Sequence, residues 1–319
     1  MLDARPAAPL RFQLQTLVLA HSWAAWAASE PLDVIVVGTP RRSVEGRLRE
    51  LGIELAESAP HPLEPISKSS NKLLGLRASS DGPVLLIDND ACFLEDVSND
   101  LDGPKIRTTI AARAPITPEQ WKRIRIVTGL EPLEQEWVPL LAELKARRFG
   151  SPPEVQRKLY LSSAVSWILQ PAAFEELWAA GIEAIAGAFD GHSLRSYAVC
   201  GSDQAGFAVA VAQHGGLELL PPTYNYRPVC FRLGLPDPKI LHFGELGNVK
   251  RTMLPFSQLL NRWWERRILL PIRRLTKDAA EWPSDHEQTQ LLDEAASIRD
   301  RVLDLGREAG LDAFDFSSM

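Results

Sequence analysis

The sequence predicts an α/β fold of Rossmann-like type, a mostly parallel sheet flanked by helices, with a helical appendage at its C-terminal end. Three observations carry this. The runs LDVIVVGTP and VLLI, the latter inside PVLLIDNDACFLEDV, are continuous and apolar, which is how strands buried on both faces read. Helical segments separate the strands, and that rhythm joins parallel strands through helical crossovers. After the last extended segment the chain changes character, and we place the division between a main domain over residues 1–248 and a helical extension over residues 249–319.

Taken in order, the apolar positions Leu14, Leu17, Val18 and Ala25, with His21 among them, keep helical spacing until Pro31 stops the segment. LDVIVVGTP is the first clear strand. RRSVEGRLRELG is a short amphipathic helix ending at Gly52, GIELAESAP a second strand and loop, and SSNKLLGLRASS a helix closed before Gly82. VLLI then ends abruptly in polar residues. Further along, the pattern predicts a helix from Trp137 to Arg148, a strand in YLSSAVSWIL and a helix in PAAFEELWAAG. A further helix in SDQAGFAVAVAQHGG has Ser202 and Asp203 as cap candidates and Gly215 and Gly216 as its stop. Two short extended segments, LELLPPTYNY and KILHFGE, follow.

Composition narrows the function classes. With 319 residues, 45% hydrophobic and 24% charged, the chain can bury a sizeable core. A net charge of −6 offers no basic surface for nucleic acid, which is not expected as a partner. Cys92, Cys200 and Cys230 have no paired spacing and no CxxC unit, so neither a disulfide framework nor a structural zinc is expected, and a reducing, cytoplasmic setting fits. Gln13, Gln15, His21 and Ser22 interrupt the N-terminal apolar run, and no twenty-residue apolar span occurs; neither a signal peptide nor a membrane span is expected.

In open α/β sheets ligands bind at the carboxyl ends of strands, and Asp88, Asn89 and Asp90 follow VLLI at such an end. Two carboxylates one residue apart can face one hard divalent cation, which offsets the charge that grows on a departing diphosphate. The same three residues also read as a polar turn with side-chain-to-backbone hydrogen bonds. His242, in KILHFGE, lies in another short apolar run, where its imidazole either completes a coordination sphere or is a core histidine.

Four blocks follow one another between Asn71 and Glu245: VLLIDNDACFLEDV, YLSSAVSWILQP, SDQAGFAVAVAQHGGLELLPPTYNY and ILHFGE. In that order they resemble the strand with Asp-x-Asp, the Tyr-Phe-Asn-Ser-Gly block, the Asp-Gln helix with downstream Leu-Pro and Tyr-Asn, and the metal-binding histidine of retaining glycosyltransferases of the A-type fold. That group contains bacterial lipopolysaccharide galactosyltransferases and glycogenin. The resemblance implies a nucleotide-diphosphate sugar, by family habit a UDP-sugar, as donor. It also implies a small-molecule or glycan hydroxyl as acceptor, Mn2+ or Mg2+ as cofactor, and transfer with retention of configuration.

By the same resemblance Asp88, Asp90 and His242 form the metal site, Asp90 and His242 being direct ligands, and Lys72, Asp88 and Asn89 contact the donor. Asp203 and Gln204 would stand beside the anomeric carbon, where a polar side chain stabilises the developing oxocarbenium face. Lys250, after Gly247, would meet the diphosphate as a point charge. Read without the resemblance, Lys72 is a surface lysine and Asp203 a helix cap. The chain departs from the pattern at Ser162, Ser163 and Ala164, where the family has Asn-Ser-Gly. The family's first strand is not evident before Leu14; it is either short around Leu10 to Phe12 or missing from the start.

From Lys250 to Lys277 eight basic residues face one acidic, and from Asp278 to Met319 eleven acidic face three basic, so the two segments can neutralise each other if they pack together. LLNRWWERRILLPIRRLTK suits either peripheral contact with an anionic membrane or a helix covering the main domain. TQLLDEAASIRDRVLDLG aligns Leu291, Leu292, Ala295, Ile298, Val302 and Leu305 on one side, a docking face or a homodimer contact. Two other functions compete with glycosyl transfer. A haloacid-dehalogenase-type phosphatase also places Asp-x-Asp after a buried strand, although its motif is followed by Thr or Val where Cys92 stands here. A non-catalytic sugar-nucleotide-binding module accommodates the departures.

Overall fold

The computed structural model describes residues 1–6, 8–9, 11–27, 30–78, 82–101, 103–112, 116–189, 203–244, 255–275 and 283–313. Three parallel strands form one sheet in the order β1 (Leu2–Ala4), β2 (Asp33–Gly38), β3 (Glu54–Ser58), crossed by helices α1 (Arg11–Trp26) and α2 (Arg42–Glu50). The first strand therefore lies ahead of the window from Leu10 to Phe12, and Phe12 already belongs to α1. Pro6 and Pro9 stand between strand and helix, where their missing N–H removes no ladder bond. β2 is buried at its four central positions, as its composition predicts. Gly38 ends it at φ 93°, and a Cβ there would come within 2.7 Å of the Arg5 backbone nitrogen; glycine lets the ends of β1 and β2 close up.

The second sheet is mixed, and this corrects the expectation of a parallel continuation through VLLI. Its order is β10 (Leu217–Leu220), β6 (Ile106–Ile110), β9 (Leu161–Ile168), β4 (Val84–Ile87). β10 and β6 run parallel, but β9 is antiparallel to both its neighbours, with Val84 of β4 opposite Ile168. The crossover rule speaks of strands joined in sequence, whereas β4 takes as its partner a strand from much later in the chain. SSNKLLGLRASS is two short pieces, a 3-10 turn over Lys68–Lys72 and then α3 (Leu73–Arg77). The helix expected from Trp137 starts later, as α6 (Leu140–Phe149). Trp137 closes the short strand β7 (Glu134–Trp137), paired with β8 (Gln156–Lys158), because Pro139 holds the residue before it out of the helical region.

Helices α4 (Ser98–Leu101), α5 (Pro118–Thr128), α7 (Pro171–Ala188) and α8 (Asp203–His214) flank this sheet. α7 and α8 approach closely enough that a Cβ on Gly181 would lie 3.1 Å from the Gly206 carbonyl oxygen. α8 stops at Gly215 and Gly216, both left-handed, as the sequence predicts. A two-stranded antiparallel ribbon, β5 (Ala91–Phe93) with β11 (Ile240–His242), and the short α9 (Pro228–Leu233) complete the main body.

At the C-terminal end, α10 (Phe256–Trp264), a π turn over Glu265–Leu269 and α11 (Leu270–Arg273) form one run, against which α12 (Asp285–Glu308) packs. α12 opens on a capping box in which Glu287 N donates to Ser284 Oγ at 3.3 Å and Ser284 N donates to the Glu287 carboxylate at 2.8 Å. Trp263 and Trp264 are buried in a core that reaches from Leu2 to Leu311. Leu291, Ala295, Ile298 and Val302 join the same core, with Leu292 and Leu305 half-buried beside it. The Trp-Arg stretch thus turns its tryptophans inward as a cover, and the apolar side of α12 docks on its own chain. Among the described residues the two segments meet through apolar side chains and two hydrogen bonds, Ser257 N to Asp312 Oδ1 at 2.7 Å and Gln288 Nε2 to Ile272 O at 3.0 Å. Cys92 and Cys230 are buried free thiols, while Cys200 lies outside the described residues. Among the described residues no helix is long and apolar enough to cross a membrane.

Candidate metal site

The carboxyl end of β4 turns sharply. Asp88 N donates to Ala164 O at 2.9 Å, tying the turn to β9, and Ala91 N donates to Asp88 O at 3.2 Å, which sends the chain into β5. β11 lies antiparallel to β5 with His242 opposite Ala91, and Phe243 N donates to Asp90 O at 2.8 Å. This ribbon is the device that carries a distant histidine to the acidic turn. One ligand atom from each of Asp88, Asp90 and His242 falls within 4.8 Å of the others, the spacing a single cation needs.

The imidazole has a defined orientation. His242 Nδ1 lies 2.8 Å from Asn225 Oδ1 and Nε2 lies 3.2 Å from Asp90 Oδ2. Asn225 Nδ2 donates to Thr109 Oγ1 at 3.0 Å and to Ser162 Oγ at 2.9 Å, so its oxygen faces the ring and accepts the Nδ1 proton. That tautomer leaves an Nε2 lone pair pointing at a carboxylate, an arrangement that calls for a positive charge between them, either a proton or a metal ion. Burial opposes ionisation of Asp90, yet the facing His242 imidazole together with Lys72 and Arg227 holds its carboxyl below the usual carboxylate range. The donor set of two carboxylates and one neutral imidazole nitrogen suits Mn2+ or Mg2+.

Lys72 is no surface lysine. Its ammonium lies 2.9 Å from Asp88 Oδ1 and 2.7 Å from Asp203 Oδ2. Burial alone would favour the neutral amine, but the two carboxylates, Asp203 foremost, raise its pKa well above the ordinary value. Asp203 opens α8 and also accepts from Ser163 Oγ at 2.6 Å, while Lys72 Nζ lies 3.2 Å from the same hydroxyl. Lys72, Asp88, Ser163 and Asp203 thus form one polar wall, contiguous with the metal-ligand cluster through Asp88.

The remaining expected residues fare differently. Asn89 turns away from Asp88 and Asp90, its amide donating to Phe12 O at 3.4 Å and Thr16 Oγ1 at 3.5 Å, so it fastens the turn to α1. Gln204 follows Asp203 in the first turn of α8 and is half-buried. Lys250, Gly247, Ser202 and Glu245 lie outside the described residues. Three further residues join the site. Ser163, the middle residue of the block that reads Asn-Ser-Gly in the family, bonds Asp203 and Lys72. Asn225, inside the TYNY string, orients His242. Arg227 reaches Asn225 Oδ1 and Ser162 Oγ, each at 3.3 Å. A Tyr-Asn pair close to an extended segment was the available signal for Asn225; nothing in the sequence points to Arg227.

No family model matches this chain, and no curated protein matches it. Solved structures do. A crystal structure of galactosyltransferase LgtC in complex with donor and acceptor sugar analogs superposes at a TM-score of 0.51 with 11% identity, covering 93% of this chain and 95% of that one. An active-site mutant of LgtC gives the same TM-score and 11% identity over 90% and 98% of the two chains. The likeness spans both chains almost entirely and lies in the fold, so the protein has an A-type glycosyltransferase fold similar to that of LgtC.

Proposed function

We propose that this chain is a glycosyltransferase that binds the diphosphate of a sugar nucleotide through a divalent metal and passes the sugar to a hydroxyl acceptor. The observation that carries the reading is the convergence of Asp88, Asp90 and His242 to within 4.8 Å on a fold similar to that of a galactosyltransferase. Held by those three residues, a divalent cation would supply the positive charge that a departing nucleoside diphosphate requires. Lys72 holds Asp88 and Asp203 in place, since its ammonium lies within 3 Å of both. Asp203, at the first turn of α8, and Gln204 after it are assigned to the sugar, with Asp203 stabilising positive charge at the anomeric carbon. Ser163, holding Asp203 Oδ2, stands where the family carries its Asn-Ser-Gly block. Asn225 and Arg227 position the imidazole. Lys250 is assigned to the diphosphate.

The donor is proposed as a UDP-sugar, the acceptor as a small molecule or glycan, and the outcome as retention. Residues 249–319 are proposed as an extension covering a catalytic domain of residues 1–248, in a cytoplasmic protein. The phosphatase alternative is not favoured, because the neighbours aligned over 90% and 93% of the chain are glycosyltransferase structures. Calorimetry with UDP and GDP, with and without manganese, tests the proposal on wild type and Asp90→Ala. Nucleotide should bind only with metal, and the substitution should weaken it by roughly a hundredfold or more. Equal affinity in a chelator, or an Asp90→Ala protein that retains full turnover on a sugar nucleotide, overturns the reading.

A further inference from the structure

A cavity of about 300 Å³ opens between α6, α9 and the end of α11. Lys145 and Arg148 of α6, Arg232 of α9, and Arg274 just after α11 bring four cationic side chains to it, and among the described residues no acidic one lines it. The rest of its wall is apolar, with Leu141 and Phe149 both exposed to solvent. The Arg148 guanidinium lies over the Phe149 ring at 5.2 Å. Arg232 is half-buried. Its Nε is buried with no hydrogen-bond partner among the described residues, and burial depresses its pKa. Positive charge gathered around one space attracts an anion into it.

We infer that the cavity binds a phosphate monoester carrying an apolar chain, the phosphate taken by Arg232 and Arg274 and the chain laid against Leu141 and Phe149. Several cations around one space suit a dianion with three acceptor oxygens better than a single carboxylate. The volume is at the lower end of the range of small-molecule sites, enough for a headgroup and a short length of chain. Arg227, which touches the metal-site residues, caps α9, and Arg232 lies at its far end, so a six-residue helix of roughly 9 Å separates the two sites. A ligand seated here would leave the metal-site residues free. This site is independent of the glycosyl-transfer reading.

The test uses the full chain and three probes: inorganic phosphate, octyl phosphate, and octyl glucoside as the uncharged control, each titrated by calorimetry. Each methylene removed from water strengthens binding by roughly fourfold, so octyl phosphate should bind at least about tenfold tighter than inorganic phosphate, and octyl glucoside should not bind. Arg232→Gln and the exposed Arg274→Gln should each weaken octyl phosphate by roughly tenfold, with thermal midpoints no lower than wild type. Octyl phosphate that binds no tighter than inorganic phosphate, or that binds both folded variants as it binds wild type, overturns the inference. Sedimentation with vesicles of phosphatidylcholine, with and without phosphatidic acid, distinguishes the source. Pelleting that requires phosphatidic acid and is lost in Arg274→Gln assigns the ligand to a bilayer, and failure to pellet while octyl phosphate binds assigns it to a free amphiphile. Pelleting without octyl phosphate binding counts against a built cavity.

Discussion

The acidic turn after β4 and the C-terminal helices bury polar atoms in opposite ways. Around His242 each buried polar group meets a partner, and Asn225 alone links His242, Thr109, Ser162 and Arg227. In α10 the indole nitrogens of Trp263 and Trp264 are buried with no partner among the described residues. A donor left unmade in this way costs on the order of 1–3 kcal/mol. The helices tolerate that because an aromatic cluster of Phe231, Phe243, Trp263 and Trp264, with ring centroids about 5.5 Å apart, holds them by area and shape. The site is specified by satisfied hydrogen bonds, the appendage by packing.

Four substitutions break or sharpen that contrast. Trp264→Ala should cost about 3–5 kcal/mol in urea unfolding, since the side chain is fully buried in the core shared by α10, α12 and the main body. A loss below about 1 kcal/mol would mean that the appendage is not packed as described. Gly306→Ala should cost about 1–3 kcal/mol, because a Cβ there would lie 2.3 Å from the ring of buried Phe256 and the overpacking outweighs the better helix propensity of alanine. Asn225→Leu keeps the volume but frees the imidazole. It should weaken manganese binding by roughly ten- to a hundredfold and cost on the order of 1–3 kcal/mol of stability, because buried Thr109 and the imidazole lose their partner, and an unchanged affinity would remove Asn225 from the site. The smallest effect concerns His21, whose pKa is lowered by burial and by Arg47 to about 4. The unfolded chain, with an imidazole near pH 6.5, binds the proton more readily, so stability should fall as the pH drops from about 6.5 towards 4. His21→Gln should flatten that slope, and an unaltered slope would place the loss elsewhere.

Much of the site was legible because its chemistry is local. Asp88 and Asp90 sit one residue apart at the end of an apolar run, and that spacing alone turns two carboxylates toward one point. The pairing of Lys72 with Asp88 and Asp203 was not legible, since it joins three elements and depends on which way a 3-10 turn faces. Ser163 illustrates the same limit: in the string it is the serine of an otherwise altered block, and in space it is a hydrogen-bond donor to Asp203. Asn89 is the converse, a member of the acidic motif whose amide faces α1.

By itself the sequence determined the helices, the buried strands and the acidic turn, because these follow from the period of apolar residues and from short-range backbone chemistry. The tertiary structure alone decided that β4 would pair antiparallel with β9, that His242 would reach Asp90 through the β5–β11 ribbon, and that Trp263 and Trp264 would face inward. Each of those is a choice among distant partners, settled by which surfaces the whole chain can bury together.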